Sequence, residues 1–136
     1  IDPWRVRGMR LILDTHVFLW WIIDSPQLSS RVRDVMRNQT NELFLSVASA
    51  WEIAIKVNLG RLRLPDRPDR FIPGQLMKNA IEPLPVEMSH ALHVSRLPAI
   101  HRDPFDRIII AQSILEKMAV VTRDADIAKY KIKTFW

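Results

Sequence analysis

The chain has no cysteine, so a disulfide framework, a thiolate metal site and a cysteine nucleophile are excluded together. Glycine is almost as scarce. The three present, Gly8, Gly60 and Gly74, make no Gly-rich loop, which excludes Walker-type nucleotide binding and the dinucleotide fingerprint. Long apolar stretches are also lacking: the longest uncharged runs, 15–23 and 108–115, fall far short of the ~20 residues a bilayer-spanning helix needs. No membrane partner is expected. The first residues carry charge and a proline but no apolar segment of the signal-peptide kind, and with the missing cysteines this fits a cytoplasmic chain.

What is present has the balance of one globular domain: 136 residues, 48% hydrophobic and 26% charged. Folding at this length removes roughly 68–70% of the unfolded surface from water, enough for an unstapled core. Twenty Lys and Arg against fifteen Asp and Glu give a formal charge of +5, an excess that suits a polyanionic partner. Residues 1–8 precede a Met-Arg and read as an upstream or vector-derived extension, leaving 9–136 as the domain.

Along the chain, strands alternate with helices. Arg10-Leu-Ile-Leu is a short buried strand ending at Asp14, followed by a helix over 15–23 that Ser25-Pro26 breaks. A helix capped by Ser29 or Ser30 carries Val32, Val35 and Met36 on its apolar stripe. Glu42 to Ser46 is a strand, and a helix over 47–59 ends at Gly60. The three prolines of 61–74 predict an irregular connection, then a short helix over 75–80. Two prolines demote 81–86 to an edge strand, and Ser89 caps a helix over 89–97. Asp103-Pro104 opens a long helix to about Lys117, 119–122 is a strand, 124–128 a short helix and 131–135 a terminal edge strand. This alternation predicts an α/β fold with a largely parallel sheet flanked by helices.

The acids fall where strands end or helices begin: Asp14 after the first strand, Glu52 in the helix after the second, Asp103 and Asp106 opening the long helix, Asp124 after Ala-Val-Val-Thr. In an open parallel sheet the C-terminal strand ends share one edge, so these carboxylates can converge. Two carboxylates ~5 Å apart repel by about 3 kcal/mol at an effective dielectric of 20, so a cluster calls for a cation. Oxygen-only ligation favours Mg²⁺ or Mn²⁺ and suits phosphodiester hydrolysis.

Each residue also has a plainer reading. Asp103 before Pro104 looks like an N-cap, Asp106 like its partner in the first turn, and Asp124 like a turn or cap residue. Glu52, between Trp51 and Ile53 in an apolar helix, has less reason to be there as a solvated charge. Asp14 is a ligand or a cap. His90 and His93 share a helix face at metal-pair spacing but read as surface or partly buried helix residues. His16 and His101 stand beside acids, where they orient a carboxylate, touch a phosphate or shape a loop. Trp20, Trp21 and Trp51 read as core or interface before base-stacking platforms.

Four motifs then stand in order: Leu-Ile-Leu-Asp-Thr-His at 11–16, Ser-Ala-Trp-Glu-Ile-Ala-Ile-Lys at 49–56, His-Arg-Asp-Pro-Phe-Asp-Arg-Ile-Ile-Ile-Ala-Gln at 101–112 and Val-Val-Thr-Arg-Asp at 120–124. With them, 9–136 resembles the PIN-domain ribonucleases, and closely the toxin of VapBC-type toxin–antitoxin pairs. The resemblance implies a three-layer sandwich and a Mg²⁺- or Mn²⁺-dependent endoribonuclease. Its acids fall on Asp14, Glu52, Asp106 and Asp124, with Thr122, Thr15 and Asp103 as possible neighbours. It also implies an RNA substrate, a homodimer and a small antitoxin whose tail fills the groove. Arg102, Arg107, Arg123 and Lys56, next to the acids, can hold flanking phosphates. A DNA-directed or housekeeping nuclease and a non-catalytic binding module are the alternatives. A dehalogenase-type phosphatase needs an acid two residues after Asp14, where His16 stands. The continuous run Phe18 to Ile23 exceeds what one helix face buries, so part of it should meet a partner.

Overall fold

A computed structural model describes residues 8–136. Five strands, β1 (Arg10–Leu13), β2 (Glu42–Ser46), β3 (Ile81–Leu84), β4 (Ala119–Val121) and β5 (Thr134–Phe135), form one sheet in the order β3-β2-β1-β4-β5, with every pair parallel. The apolar runs that predict β1, β2 and β4 are covered on both sides, as parallel strands require. Leu11, Ile12 and Leu13 of β1 have no exposed surface, and alternate residues feed two separate cores. Leu11 and Leu13 join Val17 and Phe18 of α1 (Thr15–Ile22), Val32, Val35 and Met36 of α2 (Ser30–Arg37), Ile53 of α3 (Val47–Asn58) and Ile72 of α4 (Pro68–Lys78). Ile12 joins Ile109 and Ile110 of α6 (Pro104–Glu116) and Ile127 of α7 (Ala125–Ala128). Helices on both faces of a parallel sheet make the three-layer sandwich expected.

Several local readings hold at residue level. Ser29 caps α2 by accepting from the Val32 amide, and Gly60 sits just past the end of α3 at φ +73°, a conformation that favours glycine. Pro83 lies in β3, which pairs only with β2 and so leaves one side free of ladder demands.

Others need correcting. The segment expected to be irregular up to Gly74 is already helical from Pro68: proline at the first helical position costs no hydrogen bond, and α4 carries Pro73 inside it while burying Ile72. The helix expected from Ser89 is α5 (Met88–His93), capped by Glu87. The Glu87 side chain and that of His90 satisfy each other's backbone amides, and a short 3-10 turn over Val94–Arg96 follows. Asp124 stands just outside α7 as its cap, and β3 and β5 are shorter than read. The reading of 1–8 as an extension falls, apart from Gly8, outside the described residues.

Candidate active site

β1 and β4 are neighbours at the point where the sheet order reverses, the place where parallel α/β sheets bind ligands. Asp14 ends β1 and caps α1, accepting from the His16 amide at 3.2 Å through Oδ1. Its Oδ2 accepts from the Thr122 hydroxyl, just past β4, at 2.6 Å, and the Asp124 amide donates to that same hydroxyl oxygen at 3.0 Å. Asp14 is only 6% exposed, and this burial raises its pKa. The Thr122 and His16 hydrogen bonds and the His16 charge oppose the rise, while the Asp124 charge adds to it.

Asp103 caps α6, taking the amides of Phe105 at 2.9 Å and Asp106 at 3.0 Å. Asp106, in the first turn, has its carboxyl pushed up to about 7, first by burial and then by the Asp103 charge. The charges of Asp14 and Asp124 add to this, and a hydrogen bond from His101 opposes it. Asp14, Asp103, Asp106 and Asp124 therefore share one electrostatic neighbourhood, although Asp103 and Asp124 are also the helix caps that their sequence context indicates.

Glu52 reaches this edge from α3, buried at 7% exposure. The Thr15 hydroxyl donates to its Oε1 at 2.8 Å and lies 2.8 Å from Ser49 Oγ, while Lys56 Nζ is 2.9 Å from Oε2. Thr15, the residue beside Asp14, thus ties Glu52 to the end of β1. Ser49 was not anticipated. Its position three residues before Glu52, on the same helix face, is the signal that finds it.

The basic residues divide. Arg107 is turned inward and donates to the carbonyls of Pro98, His101 and Val94 and to the Tyr130 hydroxyl. Lys56 is paired with Glu52. Arg102 is exposed and has no ion pair among the described residues. Arg123 lies over Trp20 at 4.6 Å from the ring centre and, with Asp14, His16, Trp20 and Asp124, lines a cleft of about 220 Å³. Trp20 and Trp21 pack against the core. Trp51 does not; it is 60% exposed, its ring edge-on to Phe105 at 5.4 Å, so the sequence neighbours of Glu52 and Asp106 touch. His90 is wholly buried, its Nδ1 accepting from the Glu87 amide and its Nε2 lying 2.8 Å from Glu116, so it is a structural residue and more buried than read.

Among the described residues no three Asp, Glu or His side chains stand close enough to cage a cation unaided. The donor set nonetheless fits a hard divalent ion. All donors are carboxylate or hydroxyl oxygens, and burial and neighbouring negative charge raise the pKa of both Asp14 and Asp106, a strain that a cation relieves. A family model for the PIN domain matches residues 11–133. The chain belongs to the PIN-domain family. Ribonuclease VapC16 of Mycobacterium tuberculosis is 34% identical over 64 residues, 47% of this chain and 45% of that protein, so the chain spans about half the length of the curated relative it matches. Among solved structures, VapBC2 from Rickettsia felis bound to a promoter DNA fragment has a chain of the same fold (TM-score 0.69, 13% identity, 93% of this chain and 98% of that one). FitAcB from Neisseria gonorrhoeae is similar as well (TM-score 0.60, 17% identity, 93% and 96%).

Proposed function

We propose that this PIN-domain protein is a divalent-metal-dependent endoribonuclease, cytoplasmic, and the toxin of a toxin–antitoxin pair. The observation that carries the chemistry is the shared electrostatic site of Asp14, Asp106 and Asp124 at the reversal of the sheet, with Asp106 raised to about 7. Asp14, Asp106, Asp124 and Glu52 would hold Mg²⁺ or Mn²⁺, with Asp14 oriented by the Thr122 hydroxyl and Glu52 by that of Thr15. When bound, the cation supplies Lewis-acid polarisation of the phosphate and of the attacking water. The protein's own part is positioning: hydroxyl donors fix the carboxylates, Arg123 and Arg102 offer cations to flanking phosphates, and the exposed Trp51 presents ring surface on which an unpaired base stacks.

Arg107 and Lys56 are less suited to phosphate, since both are held by internal partners. The similarity to VapC16, and to chains from the VapBC and FitAB complexes, supports a small antitoxin as partner. A homodimer agrees with the apolar run of α1. Phe18 is buried, but Leu19, Ile22 and the 71% exposed Ile23 border a cleft of about 420 Å³ with Leu62, Leu64 and Phe71.

Matched single-stranded RNA and DNA, incubated with Mg²⁺, Mn²⁺ or EDTA, test the reading. RNA cleavage dependent on the cation and absent in Asp14→Asn is expected; preferential DNA cleavage favours a DNA-directed nuclease, and no cleavage with no cation binding favours a binding module. Light scattering checks the dimer, and a small reading frame directly upstream of the gene checks the antitoxin.

A further inference from the structure

Beside the acids lies a chain of polar contacts that the nuclease chemistry does not itself require. Arg107 Nη1 donates to the Tyr130 hydroxyl at 2.9 Å, that hydroxyl is 2.7 Å from His101 Nδ1, and His101 Nε2 is 3.2 Å from Asp106 Oδ2. A guanidinium can only donate, so the Tyr130 oxygen is an acceptor there and its single proton is left to donate onward. The acceptor it meets is His101 Nδ1. In the neutral ring Nε2 then carries the proton and donates it to the Asp106 carboxylate. The contacts thus run in one direction and fix one tautomer of His101.

The parts are held rigidly. Tyr130 is 2% exposed, its ring edge-on to His101 at 5.4 Å. The Arg107 guanidinium is clamped by the carbonyls of Val94, Pro98 and His101, which tie the loop before α6 to the helix itself. His101 meets the Asp106 carboxyl at Oδ2 alone, while Oδ1 receives no hydrogen bond among the described residues. Such outer contacts orient a carboxylate that ligates a metal and hold its remaining oxygen toward the ion.

We infer that Arg107, Tyr130 and His101 are positioning residues that fix the Asp106 carboxyl so that Oδ1 faces a divalent cation. The inference rests on the metal-dependent reading above. It also gives Arg107 a role inside the protein in place of a phosphate contact.

The test measures Mn²⁺ affinity of the whole chain by electron paramagnetic resonance of the free ion, for wild type, Asp106→Asn and Tyr130→Phe, alongside RNA cleavage at varied Mn²⁺. Tyr130→Phe removes only the hydroxyl. We expect it to bind Mn²⁺ about tenfold more weakly, as outer contacts of metal ligands do when lost. Its cleavage should recover toward the wild-type kcat at saturating Mn²⁺. A merely structural tie lowers the melting temperature or kcat and leaves Mn²⁺ affinity alone. If Tyr130→Phe binds Mn²⁺ as wild type does while Asp106→Asn binds much more weakly, the positioning role is overturned and the metal site stands. If wild type binds no Mn²⁺, or Asp106→Asn binds it unchanged, the metal reading of Asp106 fails and the positioning role fails with it. Should Tyr130→Phe not fold, His101→Phe, which removes the ring nitrogens, carries the same comparison.

Discussion

Thr122 Oγ1 stands 2.6 Å from Asp14 Oδ2, so the end of β4 supplies the donor that holds the acid ending β1, across 108 residues of sequence. Both groups are buried, and a hydrogen bond to a charged group contributes about 1.5–3 kcal/mol. Thr122→Val should therefore lower stability by an amount in that range and weaken Mn²⁺ binding, while Thr122→Ser, which keeps the hydroxyl, should do neither. Chemical denaturation and Mn²⁺ titration of the two variants check this.

Asp106 gives the metal-free protein a distinctive pH dependence. Its carboxyl releases its proton near pH 7 in the folded chain and near 3.8 ordinarily, so between those values the folded state holds a proton that the unfolded state has lost. Stability from this group is fully present below the lower value and is lost as pH rises through about 7. Melts in EDTA from pH 4 to 8 should show this loss as the difference between wild type and Asp106→Asn, which lacks the titration. Added Mn²⁺, which binds the charged form, should flatten the difference.

Asp103 and Asp106 should separate by variant. Asp103→Ala removes an N-cap and should cost roughly 0.5–2 kcal/mol with cleavage retained. Asp103→Asn keeps the cap and removes the charge that is the second cause of the raised Asp106 pKa, so Asp106 should titrate lower by NMR. Asp106→Asn should abolish cleavage without lowering the melting temperature in EDTA.

Glu52→Gln should also abolish cleavage, yet change stability by no more than about 1 kcal/mol, because the Lys56 pair that it breaks is part-exposed and the Thr15 acceptor remains. Denaturant melts and RNA gels on the same variant give both answers.

Trp51, held edge-on by Phe105 and open to solvent, should add to RNA affinity through stacking. Trp51→Ala should weaken binding of a non-cleaved RNA by about 1–3 kcal/mol with little change in its salt dependence, whereas Arg123→Ala should reduce the salt slope. Fluorescence anisotropy at several salt concentrations distinguishes the two.

The central strands were legible because burial on both faces writes an unbroken apolar run, as in Leu11 to Leu13 and Ala119 to Val121. Asp14 and Asp124 were legible because each stands where a strand gives way to a helix, and Asp106 because it lies in the first turn opened by Asp103-Pro104. The α4 segment was not, since its prolines read as breakers although Pro68 is compatible with a first turn. The hydroxyl on Asp14 could be guessed from Thr122, but the partners of Glu52 and the role of Tyr130 could not be read. The His101–Tyr130 contact joins residues 29 apart in sequence, and only the packing of α7 beside α6 brings them together.

The sheet order makes the candidate site one of the last parts of the molecule to be completed. β1 pairs with β2, its early neighbour, on one side, but the other side waits for β4. A chain interrupted anywhere before residue 119 has Asp14 without Thr122 and the other acids without Asp124. Any shorter chain therefore lacks part of the proposed cation site, which is complete only once β4 has taken its place beside β1.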